Sequence, residues 1–182
     1  MTALSELIEG CKNEDKKAQD ALYHRYSAMT FGVCLRYTKG KFDAEDVMME
    51  AWVKIFKNIQ QYSIDNSFEG WIRRIMVNTA ITHYRKNLKH AYQQDVTEIA
   101  YTKDDHQDGF MHSEFTQEEL MKTINALPDG YRVVFNMYVI EGYKHKEIAD
   151  ILEIDINTSK SQLSRAKKYL QRELEELSRI HL

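Results

Sequence analysis

The chain has 182 residues, of which 43% are hydrophobic and 29% charged, and its formal net charge at pH 7 is -3. That balance excludes an intrinsically disordered chain, and scarce glycine and proline with no strictly alternating run exclude a β-rich one. No stretch approaches the roughly 18 uninterrupted apolar residues of a membrane span. Cys11 and Cys34 have no partners at metal-ligand spacing, so the expectation is an all-α cytoplasmic protein with reduced thiols and no membrane insertion.

The N-terminal stretch MTALSELIEGCKNEDKK interrupts its short apolar run with acids, which rules out the apolar core of a signal peptide. Three or four helical segments are expected in residues 1–90. In FDAEDVMMEAWVKIFKNI, Asp43 is a candidate N-cap, and Lys54 and Lys57 fall near the end that the helix dipole prefers for cations. Ala44, Met48, Ala51, Ile55 and Ile59 form one stripe, which Met49, Trp52, Val53 and Phe56 widen, so this helix is expected to be largely buried. Its acids Asp43, Glu45, Asp46 and Glu50 cluster at one end. They read either as a dipole-matched first turn or as an acidic docking face for a basic partner.

The segment QQYSIDNSFEG then reads as a loop with two aromatic residues, and WIRRIMVNTAITHYRK as another helix. Ile72, Ile75, Met76, Thr79, Ala80 and His83 share its core side, whereas Trp71, Arg74, Asn78 and Arg85 lie off that stripe. An aromatic ring, an amide and two guanidinium groups can stack on bases, read base edges and hold phosphates. The same residues also make an ordinary solvated face, and this helix alone does not choose between the two.

Basic and acidic residues are segregated along the chain. Residues 71–89 and 156–172 each carry five Arg or Lys and no acid, whereas residues 93–119 carry eight acids against one Lys. The spacing therefore predicts two small helical domains joined by a flexible acidic linker over residues 91–115. Within that linker, His106 and His112 with Asp104, Asp105 and Asp108 lack regular ligand spacing, so neither a metal nor any other cofactor is expected.

The second block opens on a capping-box pattern, Thr116 to Glu119, and its first helix stops before Pro128. DGYRVVFNMYVIEGY reads as a nearly all-apolar helix ended at Gly142. In the remainder, Ile148, Ala149 and Leu152 line a short helix, Ile154 plugs a turn and a long helix starts near Ile156, which is helix-turn-helix spacing. Ile156, Ser159, Leu163, Ala166, Leu170, Leu174 and Leu177 share one side of the long helix. Asn157, Ser161, Ser164, Arg165, Lys168 and Arg172 lie opposite, with Lys160 and Gln162 on the shoulders. Short side chains between cations let a helix enter a major groove closely, so DNA reading is the expectation here. Glu153 opens the turn where Gly is usual, and Asn157 occupies a second position where Gly is common.

Together these segments resemble the extracytoplasmic-function group of sigma-70 family sigma factors, the promoter-specificity subunits of RNA polymerase. The resemblance is carried by LYHRYSAMTFGVCLRYTKGKFDAEDVMMEAWVKIFKNI and SFEGWIRRIMVNTAITHYRK in the first block. In the second it is carried by ALPDGYRVVFNMYVIEGYKHKEIADILEI and NTSKSQLSRAKKYL. It implies a non-catalytic protein whose first domain, residues 1–90, binds the clamp helices of core polymerase through Asp43, Glu45, Asp46, Glu50 and Lys54. It places Tyr62 and Asn78 at a pocket for an extruded base of the -10 element, with Trp71 and Arg74 nearby. Residues 116–182 would read the -35 element through Lys160, Ser161, Ser164, Arg165 and Lys168. Gln162 stands where many relatives have Arg. An anti-sigma factor is a further implied partner. The alternative is a one-component helix-turn-helix regulator whose first block binds a ligand or dimerises.

Overall fold

A computed structural model describes residues 3–63, 66–92 and 115–180. Residues 93–114 of the expected linker lie outside the described residues, and with them His106, His112 and their neighbouring aspartates. The chain divides into two units, Met1–Tyr84 and Arg85–Leu182. Every regular element among the described residues is helical, in agreement with the all-α expectation.

In the first unit, α1 (Leu4–Lys12), α2 (Lys16–Leu35) and α3 (Lys41–Asn58) are followed by a 3-10 turn over Ile59–Gln61 and by α4 (Phe68–Tyr92), whose residues from Arg85 on belong to the second unit. Asp15 caps α2, its carboxylate accepting from Lys17 N at 2.8 Å. The turn before it is tight, and a Cβ on Gly10 would come within 2.5 Å of Ala18 Cβ, so glycine is what lets α1 lie against α2. Trp52 is the largest fully buried side chain; its indole N–H donates to Thr30 Oγ1 at 3.2 Å, and its ring packs against Tyr23 and Phe56. A buried indole with its one donor satisfied joins α2 to α3 without a desolvation penalty.

The expected stripe of α3 is buried from Ala44 through Ile59, with Val47 and Trp52 added. Two details differ from expectation. The N-cap is Gly40, so Asp43 sits in the first turn of a helix that starts earlier. Met49 and Val53 are 53% and 50% exposed rather than buried. At 100° per residue they fall opposite the Ala44–Met48–Ile55 stripe, on the same side as Phe42, which is 85% exposed.

In the second unit, α5 (Gln117–Asn125) starts on the predicted capping box: Thr116 Oγ1 accepts from Glu119 N at 3.2 Å, and the Glu119 carboxylate accepts from Thr116 N at 2.8 Å. α6 (Asp129–Phe135) carries Arg132, a buried cation that donates to the carbonyls of Asn125 and Leu127 and to Asp129 at 2.8 Å. That guanidinium ties the end of α5 and the Leu127 turn to α6. The expected single helix through Tyr143 is instead α6 followed by a π-helical segment over Asn136–Ile140. The extra residue in its turn re-aims Tyr138 and Val139 outward, and both are partly exposed. Gly142, at φ +77°, ends it as expected.

The helix-turn-helix follows as α7 (His145–Leu152) and α8 (Ile156–Ile180). Leu127, Ala166 and Leu170 form a core on which Ile124, Tyr131, Phe135 and Tyr169 pack. Removing the α5 cap tests how much this unit depends on local signals. Thr116→Ala is expected to lower unfolding stability by about 1 kcal/mol, with Thr116→Ser close to the parent, as read by urea denaturation of the full chain.

Candidate nucleic-acid interface

The turn between α7 and α8 is short because Glu153 takes the left-handed conformation, φ 58° and ψ 43°, and Ile154 N then bonds Ala149 O at 3.1 Å. Such a backbone favours glycine, so Glu153 holds it at some cost. Asp155 restarts the chain, its carboxylate accepting from Asn157 N at 2.7 Å. Ser159, Leu163, Ala166 and Leu170 are buried as expected. Ile156 is not: it is 40% exposed, because it is the first residue of the helix and no preceding turn covers it.

On the outward side, Lys160 and Lys168 are exposed, and Ser161, Gln162, Ser164 and Arg165 are half-buried. Ser161 Oγ donates to Thr158 O at 3.0 Å, which folds the hydroxyl onto its own helix and keeps the surface low. The Arg165 guanidinium reaches the Tyr131 hydroxyl at 3.4 Å, a partner on α6 that sequence periodicity did not single out. Arg172 donates to Glu173 at 3.0 Å and lies over the Tyr169 ring, so the helix turns acidic beyond it. The basic outward face is therefore confined to the N-terminal half of α8.

In the first unit, Arg74 and Asn78 are exposed on α4, whereas Arg85, half-buried farther along that helix, belongs to the second unit. Trp71 is half-buried within an aromatic cluster. Tyr62 and Trp71 rings lie 5.4 Å apart, Tyr62 and Phe68 5.1 Å, and Tyr26 and Phe68 5.5 Å. Tyr62 is only 7% exposed, and its hydroxyl donates to Asn66 O. Its ring is thus mostly wall rather than open platform, and Trp71 is the member of the cluster with the most free surface. Tyr26 and Phe68 complete this cluster; no helical stripe marks them.

On α3, Asp43, Glu45, Asp46 and Glu50 are all exposed, and Lys54 is half-buried. Lys54 Nζ lies 2.7 Å from the Glu50 carboxylate and 3.3 Å from Thr79 Oγ1 on α4. The lysine therefore braces α3 against α4, while the acids and the apolar Phe42, Met49 and Val53 make the open surface. Both thiols stand apart from these faces. Burial pushes Cys11 up to about 11, with Asp15 adding to it, and burial pushes Cys34 up to about 12 against the opposing charge of Arg36. Neither is an activated nucleophile. Among the described residues, no acid, histidine and cysteine group could hold a metal, and no helix is long and apolar enough to cross a membrane.

The model of Sigma-70 region 2 matches residues 22–90, and that of Sigma-70 region 4 matches residues 117–170, together about two thirds of the chain. The RNA polymerase sigma-H factor of Pseudomonas aeruginosa is 26% identical over 183 residues, with 96% of this chain and 95% of that protein covered. The ECF RNA polymerase sigma-E factor of Escherichia coli is 26% identical over 182 residues, with 95% of each covered. Among solved structures, the sigma factor RpoE in complex with the anti-sigma factor NepR from Bartonella quintana is 17% identical, covers 86% of this chain and 96% of that one, and has a TM-score of 0.49.

Exposure separates residues that can be altered without unfolding from those that cannot. Arg74→Ala and Asn78→Ala are expected to change unfolding free energy by less than about 0.5 kcal/mol, whereas Tyr62→Ala is expected to cost about 3 kcal/mol. Denaturant titrations of the three variants check this. Equal losses would show that Asn78 is held in the fold rather than presented by it.

Proposed function

The chain belongs to the sigma-70 family of RNA polymerase sigma factors, in its extracytoplasmic-function group, and from that premise we propose how its residues divide the work. It binds core polymerase, recognises the -10 and -35 promoter elements and promotes DNA opening. It acts in the cytoplasm, where polymerase works, and without covalent chemistry of its own.

The observation that carries the residue-level reading is the distribution of open faces. An acidic and apolar face lies on α3, a guanidinium, amide and aromatic face on α4, and a basic face with short side chains on the N-terminal half of α8. A one-component regulator would need only the last. Residues 1–90 act as the domain that docks on the polymerase clamp helices and engages the -10 element, residues 116–182 as the -35 domain, and residues 91–115 as the acidic linker between them. Asp43, Glu45, Asp46 and Glu50 meet the basic partner, with Lys54 bracing the helix that carries them. Asn78 reads the edge of an extruded base that stacks on Trp71, while Tyr62 walls the pocket and Arg74 holds phosphate. Unstacking a base costs a few kcal/mol, which stacking and an edge-reading amide offset. An anti-sigma protein is a third partner, as the family resemblance implies.

Run-off transcription with core polymerase and a genomic promoter library tests the whole reading. Promoter-dependent transcripts absent with core alone are expected, and their absence would overturn it. Arg165→Ala should then weaken holoenzyme binding to the upstream element by about 1 to 3 kcal/mol with relaxed sequence preference. Lys168→Ala should weaken binding evenly across sequences and flatten the salt dependence. An unchanged preference in Arg165→Ala removes it from the reading set.

The downstream assignment is tested separately. Asn78→Ala should impair opening or -10 selectivity while leaving duplex binding at the upstream element intact. Permanganate reactivity equal to that of the parent in the open region would reject the assignment.

A further inference from the structure

Ser159 is fully buried at the start of α8, and its hydroxyl lies 2.9 Å from His145 Nδ1 at the start of α7. The same imidazole stacks on Tyr138 of the π-helical segment, with ring centroids 4.5 Å apart and planes inclined by 24°. One side chain thus joins three segments. Lys144, at the α7 N-cap, contributes no side-chain cap bond, and Glu147 satisfies only the Lys144 N–H, at 2.7 Å. The residues that follow Ser159 are Lys160 and Ser161, both on the open face of α8.

We propose that His145 is a positioning residue for the recognition helix: by bonding Ser159 it fixes the opening turn of α8 and with it the placement of Lys160 and Ser161. This rests on the reading of α8 as the part that contacts the upstream promoter element. A buried hydroxyl left without its partner disfavours the arrangement that buries it by roughly tenfold or more, so the turn would shift to expose it. The stack on Tyr138 supplies orientation, and the 2.9 Å bond supplies register.

The same bond makes the contact sensitive to protonation. Burial and then the charge of Lys160 hold His145 below its ordinary value of 6.5, so the imidazole is neutral at pH 7. Around it stand Lys160 from α8 and the Tyr138 phenol from the π-helical segment, with Lys144, Lys146 and Glu147 on its own stretch. A histidine whose folded value is lowered stabilises the fold fully above the unfolded value. That contribution is lost as pH falls through the lower folded value, so the sensitive window lies below 6.5. Protonation there places a second cation beside Lys160.

The test uses the full chain with core polymerase and a promoter recovered by run-off selection. Its first readout is the ratio of affinities for that promoter and for one with a scrambled upstream element. The second is amide exchange at Ser159, Lys160 and Ser161 in the free chain. His145→Phe keeps the ring and loses the bond; it is expected to lower the ratio and to speed exchange, each by about tenfold. His145→Asn returns a polar group near the position of Nδ1 and should restore most of both at pH 7.5. It should also keep the ratio constant as pH is lowered below 6.5, the range in which the parent's ratio declines. Adding Ser159→Ala to His145→Phe removes the orphaned hydroxyl and should recover part of the loss. The proposal is overturned if His145→Phe leaves ratio and exchange unchanged, or if only thermal stability falls, or if His145→Asn is as impaired as His145→Phe. A parent that does not discriminate the scrambled element, with Arg165→Ala equally silent, would bring down the reading of α8 itself and the positioning role with it.

Discussion

The crossing of α7 over α8 is the contact on which the second unit depends. Ala149 and Ser159 are small and buried on those two helices, and small side chains at a crossing let backbones approach closely. Nothing in the three-residue connection Glu153–Asp155 could absorb a wider separation, since Glu153 already stands in a left-handed conformation. Given that spacing, the 3.6-residue period fixes the rest: once Ser159, Leu163 and Ala166 face inward, Lys160, Ser164 and Arg165 have no freedom but to face out or sideways. Which side chains such a helix offers to solvent is decided by its packed face.

The first unit meets a different demand, because two neighbouring helices must each keep an open face while sharing a core. Buried polar contacts reconcile these. Trp52 bonds Thr30 between α2 and α3, and Lys54 bonds Thr79 between α3 and α4. Each fixes one rotation of α3 about its axis, and that rotation leaves Phe42, Met49 and Val53 in solvent. Apolar side chains held outward in this way cost solvation that a partner surface would recover on docking. The carboxylates of Asp43, Glu45, Asp46 and Glu50 are exposed on the same helix.

Much of this was legible in the letters. The capping box at Thr116, the buried stripe of α3, the stop at Gly142 and the left-handed demand at Glu153 all follow from local chemistry, and the structure has each of them. Periodicity failed where one residue type serves two purposes. Met49 and Val53 look like core because an apolar side chain held at the surface is the same residue type as one in a core. Tyr62 is set at a base pocket by the family resemblance alone, and its burial was not legible because a loop has no period to reveal which way a side chain points. The π-helical turn at Asn136–Ile140 is equally silent, because the apolar run that fills it would fill a regular helix. No local pattern marks the His145 contact, which joins residues 14 positions apart through a turn with a left-handed residue.

The net charge of -3 does not oppose DNA binding, and the reason is one of length scales. A helix rises about 1.5 Å per residue, so Glu176 lies about 16 Å along α8 from Arg165. That is about twice the roughly 8 Å over which charges in solution feel one another at physiological salt. Arg172, bonded to Glu173, forms the boundary and neutralises the nearest acid. The basic half of α8 therefore keeps its field almost undiminished by the acidic half. Gln162 adds no charge to this half, whose field comes from Lys160, Arg165, Lys167 and Lys168.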